Sequence, residues 1–398
     1  MRRVLFLSNM ERQRSMLEEA LTAVAPEMEA QGATIAISEE TMWNLSWQER
    51  LSGCSLVALT WMGSGLDTSF LKKTAQYLQK KKIPHVLLLS DKESGDPAYG
   101  VSDHEQARVK RYLAWGGMEN YRYFWRYIGL RFCGEPWDLK EPQELLWHGI
   151  FHPRAAKAYT DIGEYKKDFC RADRPTIGVI FYRDEWVWED LAYQTALVEE
   201  IERQGMNALA VFCQYMKNEE GAPGLGETIA AYFQGPERAE VDVLLNTFKF
   251  SMTSMKAVEL SQLQQLGVPL FEAYTLYQSK DDWEKSIEGL TPMEMAVSIA
   301  MPEFDGALHG VPVASRELLK NGQASYQPLS ERINSMVRKA AKWAKLRRKA
   351  NQEKKIGIIF HNYPATNANI GSAAGLDSPE SIRLLLAQMQ QEGYVVDR

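Results

Sequence analysis

Residues 175–181 read Pro-Thr-Ile-Gly-Val-Ile-Phe, and this stretch decides the fold. It is a short apolar run rich in β-branched residues, which predicts a buried strand. An amphipathic segment follows it, and a second apolar run comes at 208–212. A strand, a helix and a strand in this order predict a parallel βαβ unit. Apolar runs at 242–246, 268–274 and 311–314 predict further strands of the same domain.

The same alternation occurs at the start of the chain. Four short apolar runs are separated by amphipathic segments such as 13–29 and 69–82; the runs lie at 4–7, 34–37, 56–61 and 85–89. Residues 103–130 then have helical periodicity with many aromatic side chains, and Gly116 and Gly117 interrupt them. These aromatic side chains are interpreted as core, with stacking on a flat ligand as the alternative. We predict a first α/β domain here.

Residues 355–360 read Lys-Ile-Gly-Ile-Ile-Phe and repeat the apolar pattern of 177–181. A polar loop, a helical segment and a last apolar run at 394–396 follow, which predicts a third α/β unit. A single strand-helix-strand cannot bury both faces of its sheet, so we expect this unit to be incomplete at the C-terminus of a truncated larger protein.

The predicted fold class is α/β, with tandem Rossmann-like parallel-sheet domains joined by helical linkers. The predicted boundaries are 1–130 for the N-terminal domain, 131–172 for a linker, 173–328 for the second domain, 329–355 for a basic linker helix, and 356–398 for the start of the third domain.

Composition excludes several classes of protein. The 398 residues carry a formal net charge of -6, with 25% charged and 45% hydrophobic residues, which is typical of a globular protein. No run approaches the roughly 20 apolar residues of a membrane span, and the first residues lack the apolar region of a signal peptide, so we expect a cytoplasmic protein. The four cysteines are far apart, which predicts reduced thiols rather than a zinc site or disulfides.

The segment 331–355 is rich in Lys and Arg and has two interpretations. It is either a nucleic-acid contact or a solvated linker helix. An apolar stripe at helical spacing supports the helix, formed by Ile333, Met336, Ala340, Trp343 and Leu346. Because the whole chain is acidic and shows no nucleic-acid recognition motif, we favour the linker helix and expect no nucleic-acid partner.

The polar loop at 361–377 is the most informative segment for function. It follows a predicted strand and precedes a helix that Ser378 is expected to cap, and ligands bind at this end of the strands in open α/β sheets. Its Asn and Thr side chains offer neutral donors and acceptors, and Gly371 and Gly375 permit close backbone approach. Alternatively, the Asn side chains tie the loop to itself through Asx turns. Neither GxxxxGK[ST] nor GxGxxG occurs here, so a phosphate site is disfavoured.

The whole segment 358–381 resembles the signature loop of cobaltochelatase large subunits of the CobN type, which are similar to the H subunit of magnesium chelatase. It reads Ile-Ile-Phe-His-Asn-Tyr-Pro-Ala-Thr-Asn-Ala-Asn-Ile-Gly-Ser-Ala-Ala-Gly-Leu-Asp-Ser-Pro-Glu-Ser. Supporting motifs lie at 112–120, 149–153, 177–180 and 301–306. The resemblance thus extends over nearly the whole chain.

The resemblance implies insertion of cobalt or magnesium into a tetrapyrrole. It implies that the large subunit binds the macrocycle and the metal, while a separate AAA+ ATPase complex hydrolyses ATP, so ATP is not expected to bind here. The pattern at 367–377 resembles the cobalt branch, which makes Co2+ the expected substrate ion, Mg2+ the alternative, and a corrinoid precursor or porphyrin the partner. Family members are about three times longer, so the isolated chain is expected to be inactive.

Three other functions stay open. A non-catalytic tetrapyrrole carrier or sensor would bind the macrocycle without inserting metal. A related enzyme would remove metal from haem. A nucleotide-binding α/β enzyme would need a phosphate loop, which the sequence lacks.

The candidate catalytic base is His361, since histidine commonly transfers protons near neutral pH and chelation requires removal of pyrrole protons. Its alternative is a hydrogen-bonded structural role. The candidate substrate-binding residues are Asn362, Tyr363, Thr366, Asn367, Asn369, Gly371, Asp377, Arg183, Glu303 and Asp305. Metal ligands are unknown.

Two of these assignments, and a histidine pair considered as a metal site, have structural alternatives. Arg183, beside Trp186 and Trp188, either meets a ligand carboxylate or packs between domains. Glu303 and Asp305 either act on the substrate or belong to a turn. His148 and His152 have helical metal-site spacing, but Gly149 and Pro153 argue against a helix there.

Overall fold

The computed structural model describes residues 3–27, 31–36, 51–61, 68–89, 98–215, 222–308, 310–319 and 324–396. Within these residues the chain forms two five-stranded sheets and a two-stranded hairpin. Each five-stranded sheet has four parallel strands and one antiparallel edge strand. The predicted α/β fold class is confirmed.

The first sheet has the strand order β2-β1-β3-β4-β5. Its strands are β1 (Arg3–Ser8), β2 (Gln31–Ala36), β3 (Leu56–Trp61), β4 (His85–Leu89) and β5 (Ala98–Tyr99). The four predicted apolar runs are therefore the four parallel strands, although residue 37 lies outside the described residues. Side chains alternate along β1, so Val4 and Phe6 enter one core while Leu5 and Leu7 enter another, and both faces of the sheet are buried.

The helices of the first unit are α1 (Glu11–Val24), α2 (Thr68–Lys80), α3 (Asp103–Trp115) and α4 (Met118–Ile128). Helix α3 begins with a capping box between Ser102 and Glu105. The break between α3 and α4 falls at Gly116 and Gly117, whose φ values of 68° and 85° favour glycine. Most of the aromatic side chains of α3 and α4 are buried against β1 and α1, which confirms them as core.

The second sheet has the strand order β10-β9-β7-β8-β6. Its strands are β6 (Gly149–Phe151), β7 (Thr176–Tyr182), β8 (Asn207–Cys213), β9 (Val243–Asn246) and β10 (Leu270–Glu272). Strand β6 pairs antiparallel with β8, so this part of the stretch 131–172, interpreted as a linker, belongs to the second unit. The apolar run at 311–314 does not join this sheet; instead, β11 (Ala314–Leu318) pairs with β12 (Ala324–Pro328) in a hairpin.

Helices cover both faces of the second sheet. They are α5 (Ile162–Phe169), α6 (Arg183–Val187), α7 (Ala192–Arg203), α8 (Leu225–Tyr232), α9 (Leu260–Leu266), α10 (Lys280–Lys285), α11 (Pro292–Met295) and α12 (Ser330–Arg348). Helices α7 and α12 share a core with Ile177, Val179 and Phe181. Helices α5 and α8 pack on the opposite face around Ile180.

The basic helix α12, interpreted as a linker, packs against the second sheet. Its buried face includes Val337, Ala340, Ala341 and Ala344, which pack in the core of the second unit. Two residues of the predicted stripe are off this face, because Trp343 and Leu346 are exposed. The other three residues of the stripe, Ile333, Met336 and Ala340, are buried as predicted, and Val337, Ala341 and Ala344 complete the face.

The strand predicted at 355–360 does not form. Residues 354–361 have no strand pairing, and Ile356, Ile358, Ile359 and Phe360 are all exposed. The last predicted strand, at 394–396, is also absent from the structure. Between them, α13 (Ser378–Gln391) confirms the predicted helix. A strand needs a neighbour to pair with, and none of the described residues supplies one at this position.

The four cysteines are free thiols, three of them buried, as the sequence predicted. No helix within the described ranges is long and apolar enough to cross a membrane.

Candidate functional site

The two sheets have their strand-order reversals at β1 and β7. Strand β1 lies between β2 and β3, and β7 lies between β8 and β9. In each sheet the next two strands along the chain are therefore added on opposite sides of this strand. Open α/β sheets bind ligands in the crevice that such a reversal leaves at the carboxyl ends of the strands. Here the residues after β1 and those after β7 and β9 line one cavity of about 450 Å³. We call it the interlayer cavity.

Lys249 is the buried cation of the interlayer cavity. It follows β9 and is only 7% exposed. Its Nζ lies 3.4 Å from the ring centroid of Tyr277 and 5.5 Å from that of Tyr326, and it donates a 3.4 Å hydrogen bond to the Tyr326 hydroxyl. Burial lowers the pKa of this ammonium group to about 8. Among the described residues, no carboxylate lies within ion-pair distance of Lys249.

Three acidic side chains lie on the same wall. Glu185 Oε2 accepts hydrogen bonds from Tyr193 and Gln194, and burial raises its pKa to about 8. Burial also raises the pKa of Asp184. Asp190 accepts a 2.5 Å hydrogen bond from Ser325 Oγ and another from the Tyr326 backbone N–H. With a pKa of about 8, the Glu185 carboxyl group is mostly neutral at pH 7.

The first unit supplies the opposite wall. Residues 9–12 line the interlayer cavity at the N-terminus of α1, where Met10 provides no side-chain cap. Glu11 forms an ion pair with Arg316 of the second unit. Arg12 donates to the Trp188 carbonyl oxygen at 3.0 Å. The cavity therefore lies between two units that already contact each other.

Two backbone positions beside the interlayer cavity are strained. Phe250 has φ 69° and Glu189 has φ 53°, a region that non-glycine residues rarely adopt. Phe250 follows Lys249 directly in the loop after β9, and Glu189 follows Trp188 directly in the loop after α6. Strain of this kind is found preferentially at functional sites, where the surrounding structure maintains it.

The signature loop at 361–377 lies elsewhere and is mostly exposed. His361, Asn362, Tyr363, Thr366 and Asn367 all have exposed side chains. The loop is closed by backbone contacts, among them the 2.7 Å bond from Gly371 N–H to the His361 carbonyl oxygen. The rings of His361 and Tyr363 are 6.4 Å apart, so the loop brings these two candidates together.

The Asn side chains of the signature loop have different roles. Asn369 donates to the Pro364 carbonyl at 2.8 Å, so it ties the loop to itself as the structural alternative predicted. The side chains of Asn362, Thr366 and Asn367 have no hydrogen-bond partner within the part of the chain that the structure describes. Asp377, and not Ser378, caps α13 by accepting from the Glu380 N–H. The interpretation of Ser378 as the cap was wrong, because it is the first helical residue.

Arg183 has a structural position. It is 2% exposed, donates to the carbonyl oxygens of Leu146, Ala114 and Trp115, and lies 4.2 Å from the Trp147 ring centroid. The guanidinium N–H groups that would bind a carboxylate bidentately are engaged by these carbonyl oxygens. The environment of Arg183 thus agrees with the alternative that it packs between domains.

Trp186 and Trp188 also pack within the protein. Trp186 stacks on Phe212 at 4.3 Å, and Trp188 donates to the Tyr121 hydroxyl across the two units. Most of the segment that carries them forms α6, a short helix.

Glu303 and Asp305 share a single 3-10 turn, Pro302–Asp305, and differ in environment. Asp305 is buried and accepts hydrogen bonds from Ser251, Met252 and Thr253, so it holds the segment after β9. Glu303 is exposed. The turn alternative therefore describes Asp305, and neither residue lines the interlayer cavity.

The two candidate metal-ligating histidines have protein partners. His148 contacts the Tyr232 hydroxyl at 2.8 Å, and His152 contacts Glu202 at 3.2 Å while stacking on Phe169 at 3.8 Å. Within the described residues, no group of three or more His, Cys, Asp or Glu side chains is arranged to hold a metal ion.

Sequence reasoning missed Lys249 and Glu185. Lys249 comes shortly after a predicted strand that ends at 246, and Glu185 comes shortly after one that ends at 181, beside Arg183 and Asp184. The rule that ligands bind where strands end selects both loops, but it does not show which of their side chains enter a cavity.

The comparisons with known proteins agree with the fold. The family model CobN/Magnesium Chelatase matches residues 110–398. The chain belongs to this family. An uncharacterized protein of Methanocaldococcus jannaschii is 35% identical over 75% of the chain, and the aerobic cobaltochelatase subunit CobN of Pseudomonas aeruginosa is 30% identical over 75% of it.

These relatives are much longer. The matched region covers 25% of the archaeal protein and 24% of the Pseudomonas subunit. Among solved structures, the catalytic subunit of cobaltochelatase from Mycobacterium tuberculosis matches with a TM-score of 0.60 and 22% identity, over 100% of this chain and 31% of that one. This likeness concerns the fold. The chain thus spans about a quarter to a third of the proteins that it matches.

Proposed function

We propose that the chain is the N-terminal part of the large, tetrapyrrole-binding subunit of an ATP-dependent metal chelatase, which inserts cobalt into a corrinoid precursor. Membership of the CobN/magnesium chelatase family supports the class of activity. The observation that carries the assignment of a binding segment is the exposed signature loop. The side chains of Asn362, Thr366 and Asn367 are exposed and make no hydrogen bond within the described residues.

Each part of the signature loop has a chemical task in this proposal. Asn362 and Asn367 offer amide donors and acceptors to the carboxylate or amide groups at the edge of a macrocycle. Tyr363 offers an exposed ring that can lie against the macrocycle face. His361 accepts a proton from a pyrrole nitrogen as the metal enters. Co2+ is the substrate ion, with Mg2+ as the alternative, and AAA+ partner subunits hydrolyse ATP.

The first experiment titrates the purified chain with a metal-free corrinoid precursor, a porphyrin and haem, followed by absorbance and tryptophan fluorescence. Wild type is expected to bind saturably at least one macrocycle. Asn362→Ala combined with Asn367→Ala is expected to weaken binding by about tenfold or more, since two hydrogen bonds of about 1 kcal/mol each are lost. The control is Gln352→Ala, an exposed amide outside the signature loop.

Absence of saturable binding to any macrocycle by wild type, or equal weakening by Gln352→Ala, would contradict the assignment. Metal insertion is then tested by adding the ATPase subunits, ATP and Co2+ or Mg2+. Macrocycle binding without insertion under these conditions would support the non-catalytic carrier or sensor instead, and release of free porphyrin from haem would support the dechelatase.

A further inference from the structure

We propose that the interlayer cavity is a second binding site, separate from the signature loop, and that it binds a small organic carboxylate with a flat, unsaturated body. This inference goes beyond the proposed function and does not depend on it. Its basis is the position of the cavity, the buried Lys249 and the aromatic side chains around it.

Position and size are those of a ligand site. The cavity occupies the strand-order reversals of both sheets, where α/β proteins bind their ligands. Its volume of about 450 Å³ lies within the range of small-molecule pockets. The strained backbone at Phe250 and Glu189 flanks it in the loops after β9 and α6.

Lys249 points to an anionic ligand. Burying an ammonium group costs free energy unless a partner compensates it. Here aromatic faces and one tyrosine hydroxyl contact the ammonium group directly, while the carboxyl groups of Glu185 and Glu294 act on it from beyond ion-pair distance. Across the cavity, α1 begins without a side-chain cap, and the N-terminus of a helix attracts negative charge. Two independent features thus favour one anionic group between the units.

The acidic side chains of the cavity do not offset this preference. Glu11 is paired with Arg316, and Asp190 is engaged by Ser325 and Tyr326. Glu185 holds two donors on one oxygen, and its buried carboxyl group has a raised pKa, as has that of Asp184. At pH 7 the Glu185 carboxyl group is mostly neutral, so it donates a hydrogen bond and does not repel an incoming anion.

Aromatic rings indicate the shape of the rest of the ligand. Tyr182, Trp188, Phe250, Tyr277 and Tyr326 all line the cavity. Flat unsaturated groups pack on such rings by offset stacking or edge contacts. A ligand whose carboxylate contacts Lys249 and whose flat body packs among these rings interacts with both the cation and the aromatic side chains of the cavity.

Isothermal titration of the full chain with 2-naphthoate and with 2-naphthamide tests the inference. The two probes share a flat body and differ in charge. Wild type is expected to bind 2-naphthoate at one site, about tenfold or more tightly than the amide, as a charge-assisted hydrogen bond predicts. Lys249→Met is expected to abolish this preference, and Lys249→Arg to retain most of it. Tyr277→Ala is expected to weaken both probes by similar factors.

The matched control is Lys342→Met, which removes an exposed lysine of α12 and is expected to change neither affinity. Circular dichroism establishes that each variant is folded. No saturable binding of 2-naphthoate at millimolar concentration, equal affinity of wild type for acid and amide, or an undiminished preference in Lys249→Met would each overturn the proposal.

Discussion

Glu185 and Lys249 show how burial changes the ionisation of two side chains in one cavity. Desolvation disfavours the charged form of each, so it raises the pKa of the acid and lowers that of the amine, both to about 8. Asp190 adds to the rise for Glu185, whereas Lys249 opposes it. Near pH 8 a small change in solvation therefore alters the charge of this wall.

Glu185→Gln tests this at the residue scale. The carboxyl group of wild type is neutral when folded but ionised when unfolded between about pH 4.5 and 8, so ionisation favours the unfolded chain there. The free energy of unfolding of wild type should fall relative to the variant by up to about 1.4 kcal/mol per pH unit as pH rises through this window. Urea unfolding at pH 5.5, 6.5 and 7.5 measures the difference.

Lys249 stays largely protonated in both states below pH 8, so it does not reverse the slope in this window. The exposed Glu288→Gln is the control and should leave the pH dependence unchanged. A constant difference between wild type and Glu185→Gln over the three pH values would show that Glu185 is ionised in the folded protein.

At the element scale, the 3-10 turn that carries Asp305 fixes the segment after β9. Both carboxylate oxygens accept hydrogen bonds from this segment, at 2.6 to 3.0 Å. Phe250 N–H also bonds to the Val297 carbonyl, so the strained residue next to Lys249 is held from two sides. Asp305 thus acts on the interlayer cavity from a distance, by holding the loop that positions Lys249.

Asp305→Ala should destabilise the protein by about 2–3 kcal/mol, because it leaves buried backbone N–H groups and hydroxyls without an acceptor. Glu303→Ala, in the same turn but exposed, should change stability by less than about 0.5 kcal/mol. Urea unfolding midpoints at fixed pH measure both. Equal effects of the two substitutions would refute the holding role of Asp305.

At the scale of the whole molecule, Arg183 joins the two units. It starts α6 in the second unit and donates to carbonyl oxygens at the end of α3 in the first. Gly116 lies at the same junction, where a Cβ atom would come within 2.6 Å of a Val187 methyl carbon. The relative position of the units, and hence the shape of the interlayer cavity, depends on this contact.

Arg183→Met should destabilise the protein by about 3 kcal/mol, since three carbonyl groups lose a charged donor. In limited proteolysis, the segment 131–148 of this variant should be cleaved faster than that of wild type. Arg154→Met is the control, because Arg154 is exposed and its surface ion pair with Glu202 contributes at most about 1 kcal/mol. Proteolysis at the wild-type rate would indicate that other contacts hold the units together.

Local patterns predicted more of the fold than of the site. Buried parallel strands form continuous apolar runs, so β1 and β7 were evident, and the glycine pair between α3 and α4 marked a helix break. The run at 355–360 has the same pattern but forms no strand, because pairing depends on distant residues. The interlayer cavity brings Lys249 together with residues 9–12, 185 and 316. These positions are far apart in the sequence, so no periodic pattern predicts that they meet.

The exposed run at 356–360 has a consequence for handling the chain. Ile359 is 96% exposed and Ile356 54%, within an uncharged segment of high β-propensity. Segments of this kind are templates for intermolecular strand pairing and fibril formation. Light scattering of the purified chain should therefore rise steeply with concentration. Ile359→Lys, which places a charge in the segment, should suppress this rise. The control Ile370→Lys changes a less exposed isoleucine outside the segment and should not suppress it.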